Sequence, residues 1–369
     1  MHLNELSLIN YRNYVKLELN FSSNLIVFSG RNAQGKTNIL EAIFLLSTGR
    51  SHRTPRDREL IRWGERESVV RSLVEKREGS SLIEIMLSLK DKKKININSI
   101  TAQRLGELMG HINSVLFSPE DLKLVKGSPT ERRRFMDMEI SQVKPKYFYS
   151  LQQYNRLLNH RNNLLKEING NSSLKKTLPI WDEQIAKVGT YIILQRMEFV
   201  EKIGEIARDV HKEITLGREN LDITYNPSIN FDFNDTTSIM EEYIKILEQN
   251  HEEDIKKGRT EKGCHRDDLA ISINGMDVKT FGSQGQQRTT VLSLKLSEIE
   301  MMYKQTGEYP LLLLDDVMSE LDKYRQSKLL SYFNKVQTFM TMTDYADLPN
   351  DINSNMEIYE VFGGKVAKI

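Results

Sequence analysis

The chain has 369 residues, 28% of them charged, and a net charge of +1. That length allows a large core or two sub-domains, and near-neutral charge confines any nucleic-acid binding to local basic patches. The single cysteine, Cys264, excludes an intrachain disulfide and a multi-cysteine zinc site. It fits a reducing compartment, and with no apolar run of membrane-spanning length and no signal-peptide core at Met1-His2-Leu3-Asn4 a cytoplasmic protein without a membrane partner is expected.

Residues 3–8 and 15–19 alternate apolar and polar, as half-buried strands do, on either side of Tyr11-Arg12-Asn13-Tyr14. Leu25-Ile26-Val27-Phe28 is an apolar run of the buried-strand type. Gly30 to Thr37 then spell G-x-x-x-x-G-K-S/T before an apolar helix at residues 39–46, the context of a phosphate loop. Its two glycines let the backbone curl until successive N–H groups face phosphate oxygens, and the helix start offers its positive dipole end to the same anion. Gly30, Arg31, Asn32, Ala33, Gln34, Gly35, Lys36, Thr37 and Asn38 are therefore the expected nucleotide-binding residues. Lys36 should reach the β- and γ-phosphates and Thr37 should ligate Mg²⁺.

A basic, turn-rich segment follows at residues 49–58. Strand-like runs at 68–74, 81–89 and 94–97 predict an antiparallel meander attached to the nucleotide-binding core, with Ile83, Ile85, Leu87 and Leu89 on one face. Helical signals dominate from Phe117 to about Lys257. Apolar residues from Ile185 to Ile214 recur with helical period, and Gly217 stands where such a helix would stop. The heptad pattern is not sustained, so a compact helical lobe is expected, not a long coiled coil. Asn169-Gly170-Asn171-Ser172-Ser173 reads as a flexible tip and residues 221–225 as an isolated strand. The expected domains are a discontinuous ATPase domain of residues 1–116 and 262–369 and an inserted, mainly helical lobe of 117–261.

Asn274-Gly275 between Ile271-Ser272-Ile273 and Met276-Asp277-Val278 is a type I′ hairpin signal. Ser283-Gln284-Gly285-Gln286-Gln287-Arg288 precedes a helix ending near Gly307 and has the makings of a second phosphate-binding helix start, although a simple polar cap accounts for Ser283 alone equally well. Leu311-Leu312-Leu313-Leu314-Asp315-Asp316 is an apolar strand ending in two carboxylates. In a phosphate-loop ATPase Asp315 would hold Mg²⁺ through water, and Asp316 would orient or deprotonate the attacking water. A strand at residues 338–341 and a hairpin at Gly363-Gly364 complete the chain.

This order of motifs, with Ser319-Glu320-Leu321-Asp322 after the acidic strand, resembles the ABC-type head domains of the SMC-like DNA-repair ATPases, and within that group the RecF family. Gly49-Arg50-Ser51-His52-Arg53, Ser118-Pro119-Glu120-Asp121-Leu122, the Lys126 to Phe135 stretch and His265-Arg266-Asp267-Asp268-Leu269 extend the resemblance over nearly the whole chain. It implies an α/β fold: an ABC-type phosphate-loop ATPase head with a mixed sheet and an antiparallel β-subdomain, plus an inserted helical lobe. It also implies ATP and Mg²⁺ as cofactors, with ATP sandwiched between two copies of the chain in a homodimer. Lys36 and Asp315 would come from one copy and Ser283 and Gly285 from the other, with Gln286 among the cofactor-binding residues and Lys36, Asp315, Asp316 and Ser283 as the catalytic set. Arg12 would lie near the base or α-phosphate, and Thr343 or Thr341 where ABC proteins keep a switch histidine. The resemblance further implies duplex DNA beside single-stranded gaps as the ligand, slow DNA-stimulated hydrolysis, and action with RecO and RecR in loading RecA.

Some positions depart from that pattern. Asp316 replaces a catalytic glutamate, Ser118-Pro119-Glu120 stands where a Q-loop glutamine is expected, with Glu120 or Asp121 as the substitute Mg²⁺ sensor, and Cys264 stands for a proline. Candidate DNA contacts are Arg50, His52, Arg53, Arg56 and Arg58, then Lys92-Lys93-Lys94, Arg132-Arg133-Arg134, and Arg156 with His160 and Arg161. Taken singly, such clusters are more often solvated faces or helix salt bridges. The competing readings are an ABC transporter ATPase subunit, a small-molecule phosphate-loop kinase and a non-hydrolysing structural DNA clamp.

Overall fold

The computed structural model describes residues 1–229, 236–347 and 356–369, which fall into two compact units. The first comprises Met1–Leu122, Val210–Arg218 and Arg288–Ile369, and the second Lys123–Asp209 and Glu219–Gln287. In chain order the first unit opens with strands β1 (His2–Tyr11), β2 (Tyr14–Asn20), β3 (Leu25–Ser29), β4 (Glu67–Lys76), β5 (Gly79–Ser88), β6 (Lys94–Ile97), β7 (Ile100–Thr101) and β8 (Ser114–Phe117). The second unit holds β9 (Leu221–Asn226), β10 (Asp268–Ile273) and β11 (Met276–Asp277), and the first closes with β12 (Leu311–Asp315), β13 (Thr338–Met342), β14 (Met356–Phe362) and β15 (Lys365–Lys368).

Two sheets build the first unit. The expected three-run meander, β4-β5-β6, is part of a larger six-stranded sheet in the order β2-β1-β4-β5-β6-β7, antiparallel throughout, which β1 and β2 join through β4. Its alternating residues bury one face: Leu6, Leu8, Val70, Val74, Ile83, Ile85 and Leu87 are inside, whereas Leu89 lies past the strand end and is exposed. The other sheet runs β15-β14-β3-β13-β12-β8, parallel except for β15 on its edge. Every residue of β3 and β13, and Leu311 to Leu314 of β12, is buried, which is why these strands read as continuous apolar runs. The phosphate loop leaves the carboxyl end of β3, with the ends of β13 and then β12 next along the sheet, the crevice where open α/β sheets take ligands.

In the second unit the helices Pro129–Val143 and Pro145–Ile168 each begin on a proline whose fixed φ suits the first turn. The helix Leu178–Ile214 has 37 residues, the last of them, from Val210, counted in the first unit, and ends short of Gly217, whose φ of 74° lets its N–H cap Lys212 O at 2.8 Å. The hairpin signal at Asn274-Gly275 is realised, with both residues at positive φ (51° and 79°) between β10 and β11.

Three expectations need adjustment. The segment 221–225 is not an isolated strand: β9 pairs along its whole length with β10, a partner more than forty residues away that periodicity cannot reveal. For the same reason residues 262–287 pack with the helical unit, reinforced by a bidentate Arg132–Asp268 pair (2.7 and 2.9 Å), so the boundary falls after Gln287 and not after residue 261. The tip at 169–173 is structured, since the Asn171 side chain accepts from Ser173 N (3.2 Å) and opens a 3₁₀ turn over Ser172–Thr177. Among the described residues no helix is long and apolar enough to cross a membrane.

Candidate functional site

Gly30 adopts φ 145° and a Cβ there would stand 2.4 Å from Val361 O, so only glycine lets the chain turn off β3 at this point. Ala33 and Gly35 also take positive φ (64° and 116°), giving the loop its inward curl. The helix Lys36–Thr48 starts at Gly35 with no side-chain cap and no acidic residue in its first turn. Asn38 N bonds back to Gly35 O (2.9 Å), while no side chain of the helix start caps Lys36 N or Thr37 N, the place where a helix start takes an anion.

Lys36 is almost fully buried, with Nζ donating to Gly30 O and to Arg31 O (2.9 Å). Burial lowers its pKa, and the carboxylates of Asp316 and Asp315 pull it back up. Thr37 Oγ1 donates to Asp315 Oδ1 at 2.8 Å, joining the loop to the end of β12. Thr341 on β13 donates to the same oxygen at 2.8 Å and accepts from Asp316 N at 3.0 Å. Asp316 is held at φ 55°, outside the strand geometry of its neighbour, so the two adjacent carboxylates take different directions. Burial raises the Asp316 pKa, opposed by Lys36 and assisted by Asp315.

Asn32, Ala33, Gln34, Gly35, Lys36, Thr37, Asn38, Arg53, Asp315, Asp316 and Thr341 line one cleft of about 360 Å³. The structure thus gathers the loop and the acidic strand end. Of the two candidates Thr341 and Thr343, it is Thr341 that lines this cleft; Thr343 is exposed, and its carbonyl takes a long bond from Ser29 Oγ (3.5 Å). Arg12 is turned to Glu41, which it grips through Nε (2.8 Å) and Nη2 (2.6 Å), while Nη1 donates to Glu59 O (2.8 Å). Asp121 is turned back on Ser118 N (2.7 Å) and lines a separate apolar crevice with Arg288, Val291 and Leu321.

Sequence reasoning missed the residues that brace the loop. Asn13 Nδ2 donates to Gln34 O (2.9 Å), Asn13 Oδ1 accepts from Asn38 Nδ2 (2.8 Å) and Tyr14 OH donates to Gly35 O (3.1 Å). A Cβ on Gly35 would meet the Asn13 side chain at 2.4 Å, so the glycine serves this contact as well as the curl. Glu41, fully buried in the helix Lys36–Thr48, holds Arg12, Ser51 Oγ (2.5 Å) and, at 3.7 Å, Arg53. Burial alone would raise its pKa, yet the bonds from Arg12 and Ser51 keep it below the usual carboxylate range. A lone acid inside the apolar run from Ile39 to Leu46 was the available signal.

At the start of the helix Gln284–Thr306, Ser283 Oγ accepts from Gln286 N (3.2 Å) and Ser283 N donates to Gln286 Oε1 (2.9 Å), a reciprocal capping box. Ser283, Gln284 and Gly285 are exposed, and Gln286 Nε2 donates to Glu219 (3.0 Å). Ser319 Oγ donates to the backbone carbonyl of Asp316 (3.0 Å), so the segment after β12 folds back on the main chain of the residue that carries the second carboxylate. Asp322 caps the helix Lys323–Leu330, from which Arg325 Nε reaches Thr289 Oγ1 (3.0 Å).

Several candidate DNA contacts prove internal. Arg161 is fully buried against Asp182 (2.8 Å) and Asp254 (2.7 Å). Arg132 pairs with Asp268 and Arg133 donates to Asp267 O (2.7 Å), leaving Arg134 exposed. Lys93 is held by Gly49 O (2.7 Å) and Asp57 (2.9 Å). His265 bridges Tyr154 OH (2.8 Å) and Thr260 O (2.9 Å), and burial lowers its pKa to about 4. Those bonds occupy both ring nitrogens, and among the described residues no cluster of three or more His, Cys, Asp or Glu side chains is arranged to hold a metal ion.

The family model of the RecF/RecN/SMC N-terminal domain matches residues 2–364. The chain is 47% identical over 367 residues to a protein of Alkaliphilus oremlandii described as DNA replication and repair protein RecF, covering 99% of this chain and 100% of that one. It is 46% identical over 369 residues to a Bacillus thuringiensis protein of the same description, covering 99% and 98%. A solved structure described as the recombination mediator protein RecF with ATP in the RecFOR pathway matches 100% of this chain and 97% of its own, with a TM-score of 0.94 at 38% identity. An Smc head bound to the C-terminal winged-helix domain of ScpA, 15% identical with a TM-score of 0.57 over 100% and 98% of the two chains, shares the fold alone.

Proposed function

The chain belongs to the RecF/RecN/SMC family, and we propose that it serves DNA replication and repair as an ATP-driven switch that closes two copies of itself on duplex DNA beside single-stranded gaps. The observation that carries this reading is the convergence of Lys36, Thr37, Asp315 and Asp316 on one cleft under a curled loop that opens a helix with no side-chain cap. The loop amides and Lys36 would bind the triphosphate of ATP, Lys36 exchanging its carbonyl partners for phosphate oxygens. Thr37 Oγ1 and Asp315 Oδ1 are an all-oxygen pair of the kind a hard cation takes, so they would hold Mg²⁺ together with phosphate and water. That ion supplies charge neutralisation at the phosphates.

Asp316 takes the proton of the attacking water, and Thr341 positions it by fixing its backbone N–H. Arg12 acts through Glu41, as a positioning residue for the segment that carries Arg53. In the closed dimer Ser283, Gly285 and Gln286 of each copy complete the other's pocket, and Ser319–Asp322 cross the interface. Slow, DNA-stimulated hydrolysis then reopens the pair in the cytoplasm, where the protein works with RecO and RecR to load RecA.

The test is sedimentation and turnover. Monomer without nucleotide, dimer at saturating ATP with Mg²⁺, and faster hydrolysis on adding duplex are expected; particles that stay single at every concentration overturn the reading. A pH profile checks the base. Because the folded-state pKa of Asp316 is raised, turnover is lost as pH falls through a value above the ordinary aspartate pKa of about 3.9. A rate that stays flat down to that ordinary value would remove Asp316 from the role.

A further inference from the structure

Trp63 is 96% exposed, more than any other large hydrophobic side chain described. It stands at the tip of a tight turn in which Glu65 N donates to Arg62 O (3.0 Å) and Gly64 supplies φ 87°, the positive value that the third turn position requires. The turn is not loose. Arg62 N donates to Asn10 O (2.8 Å), Ile61 bridges Tyr11, and Leu89 N donates to Arg66 O (3.0 Å). That last bond lays the turn beside the segment 89–94, where Lys90, Lys92 and Lys94 are exposed, as is Arg66.

Singly exposed apolar residues are ordinary. An indole held out by a braced turn, uncovered and set among cations, is not. Residues 50–66 carry six arginines against three acids and residues 90–94 four lysines against one acid, a local excess of six charges in a chain of net +1. Such an excess suits a polyanion. An indole face suits a base, but only an unpaired base offers its own face, since duplex bases are already stacked.

We propose that the Trp63 turn and the 90–94 segment form a contact for single-stranded nucleic acid, in which Trp63 stacks on an unpaired base while Arg66, Lys90, Lys92 and Lys94 meet its phosphates. The inference rests on the reading that the chain binds DNA, and adds to it the element that would tell a gap edge from plain duplex. The full chain with ATP is titrated against a labelled duplex and against the same duplex carrying a thymidine tail. Trp63→Ala should weaken the tailed substrate by about tenfold and leave the plain duplex unchanged, with Trp63→Phe restoring most of the difference.

The chain has one other tryptophan, Trp181, stacked on His160 at 5.5 Å between ring centroids, so Trp181→Phe leaves Trp63 as the sole indole reporter. Its fluorescence should be quenched saturably by oligothymidylate. Equal binding of the tailed substrate by Trp63→Ala and the wild type, or equal weakening on both substrates, overturns the stacking role alone. Failure of the wild type to bind either DNA sinks the underlying function instead. Loss of a protein partner with tail binding intact would reassign the face to protein docking and also overturn the inference.

Discussion

Ser283→Arg is expected to leave nucleotide binding intact and to abolish ATP-driven pairing, whereas Lys36→Met is expected to lose both. Ser283 is exposed at the start of the helix Gln284–Thr306, so arginine is accommodated there in a single chain without a core clash. The substitution costs one helix cap, about 1 kcal/mol, which Ser283→Ala also removes and which serves as the control. If the serine faces the partner's phosphates, the arginine is a steric wedge at the closing surface and the alanine is not. Lys36 is buried under the loop and replacing its ammonium removes the donor aimed at the transferred charge, so hydrolysis should fall by about 10²–10³-fold. Nucleotide titration and sedimentation on the same samples separate the two variants. A Ser283→Arg protein that still dimerises with ATP would falsify the assignment of the signature to the partner's site.

Arg161→Met should be the most destabilising single change in the helical unit, by about 3–5 kcal/mol. It would leave Asp182 and Asp254, both with no exposed side-chain surface, without the guanidinium that joins them, Asp182 keeping only its bond to His251 (2.6 Å). Burial already raises the Asp254 pKa against the pull of Arg161, so losing the arginine leaves only the Glu261 N–H bond (3.0 Å) to oppose the desolvation. Thermal melting should show a midpoint lower by on the order of 10 °C. Arg156→Met, on the exposed side of the same helix, should melt within about 0.5 kcal/mol of the wild type. Matching midpoints for the two variants would mean that the buried cluster contributes nothing.

Those two arginines show where a sequence stops being informative. Arg156 and Arg161 read as one basic patch, yet only one of them meets solvent, because pairing with a carboxylate 93 positions away leaves no local trace. The phosphate loop was legible for the opposite reason: backbone curl and helix start are local chemistry, and Gly30, Gly35, Lys36 and Thr37 must sit at fixed spacing to produce them. Asn274-Gly275 was legible likewise, since a two-residue turn of that hand needs residues that tolerate positive φ. The role of Asn13 and Tyr14 was not, because their partners Gln34 and Gly35 are 21 residues on, in the loop that follows a strand of the other sheet. The unit boundary after Gln287 escaped for the same cause, as it depends on which strand β9 finds.

The turn joining β1 and β2 touches two places at once. On one side Asn10 O and Arg12 N bond to Arg62 and Leu60 at the root of the Trp63 turn (2.8 Å each), and on the other Asn13 and Tyr14 hold the phosphate loop. Any ligand that shifts one side alters the hydrogen bonds on which the other relies. Linkage makes such an influence reciprocal for binding: by whatever factor nucleic acid tightens the grip on ATP, ATP tightens the grip on nucleic acid. Measuring either affinity with and without the other ligand therefore yields both couplings from a single thermodynamic square.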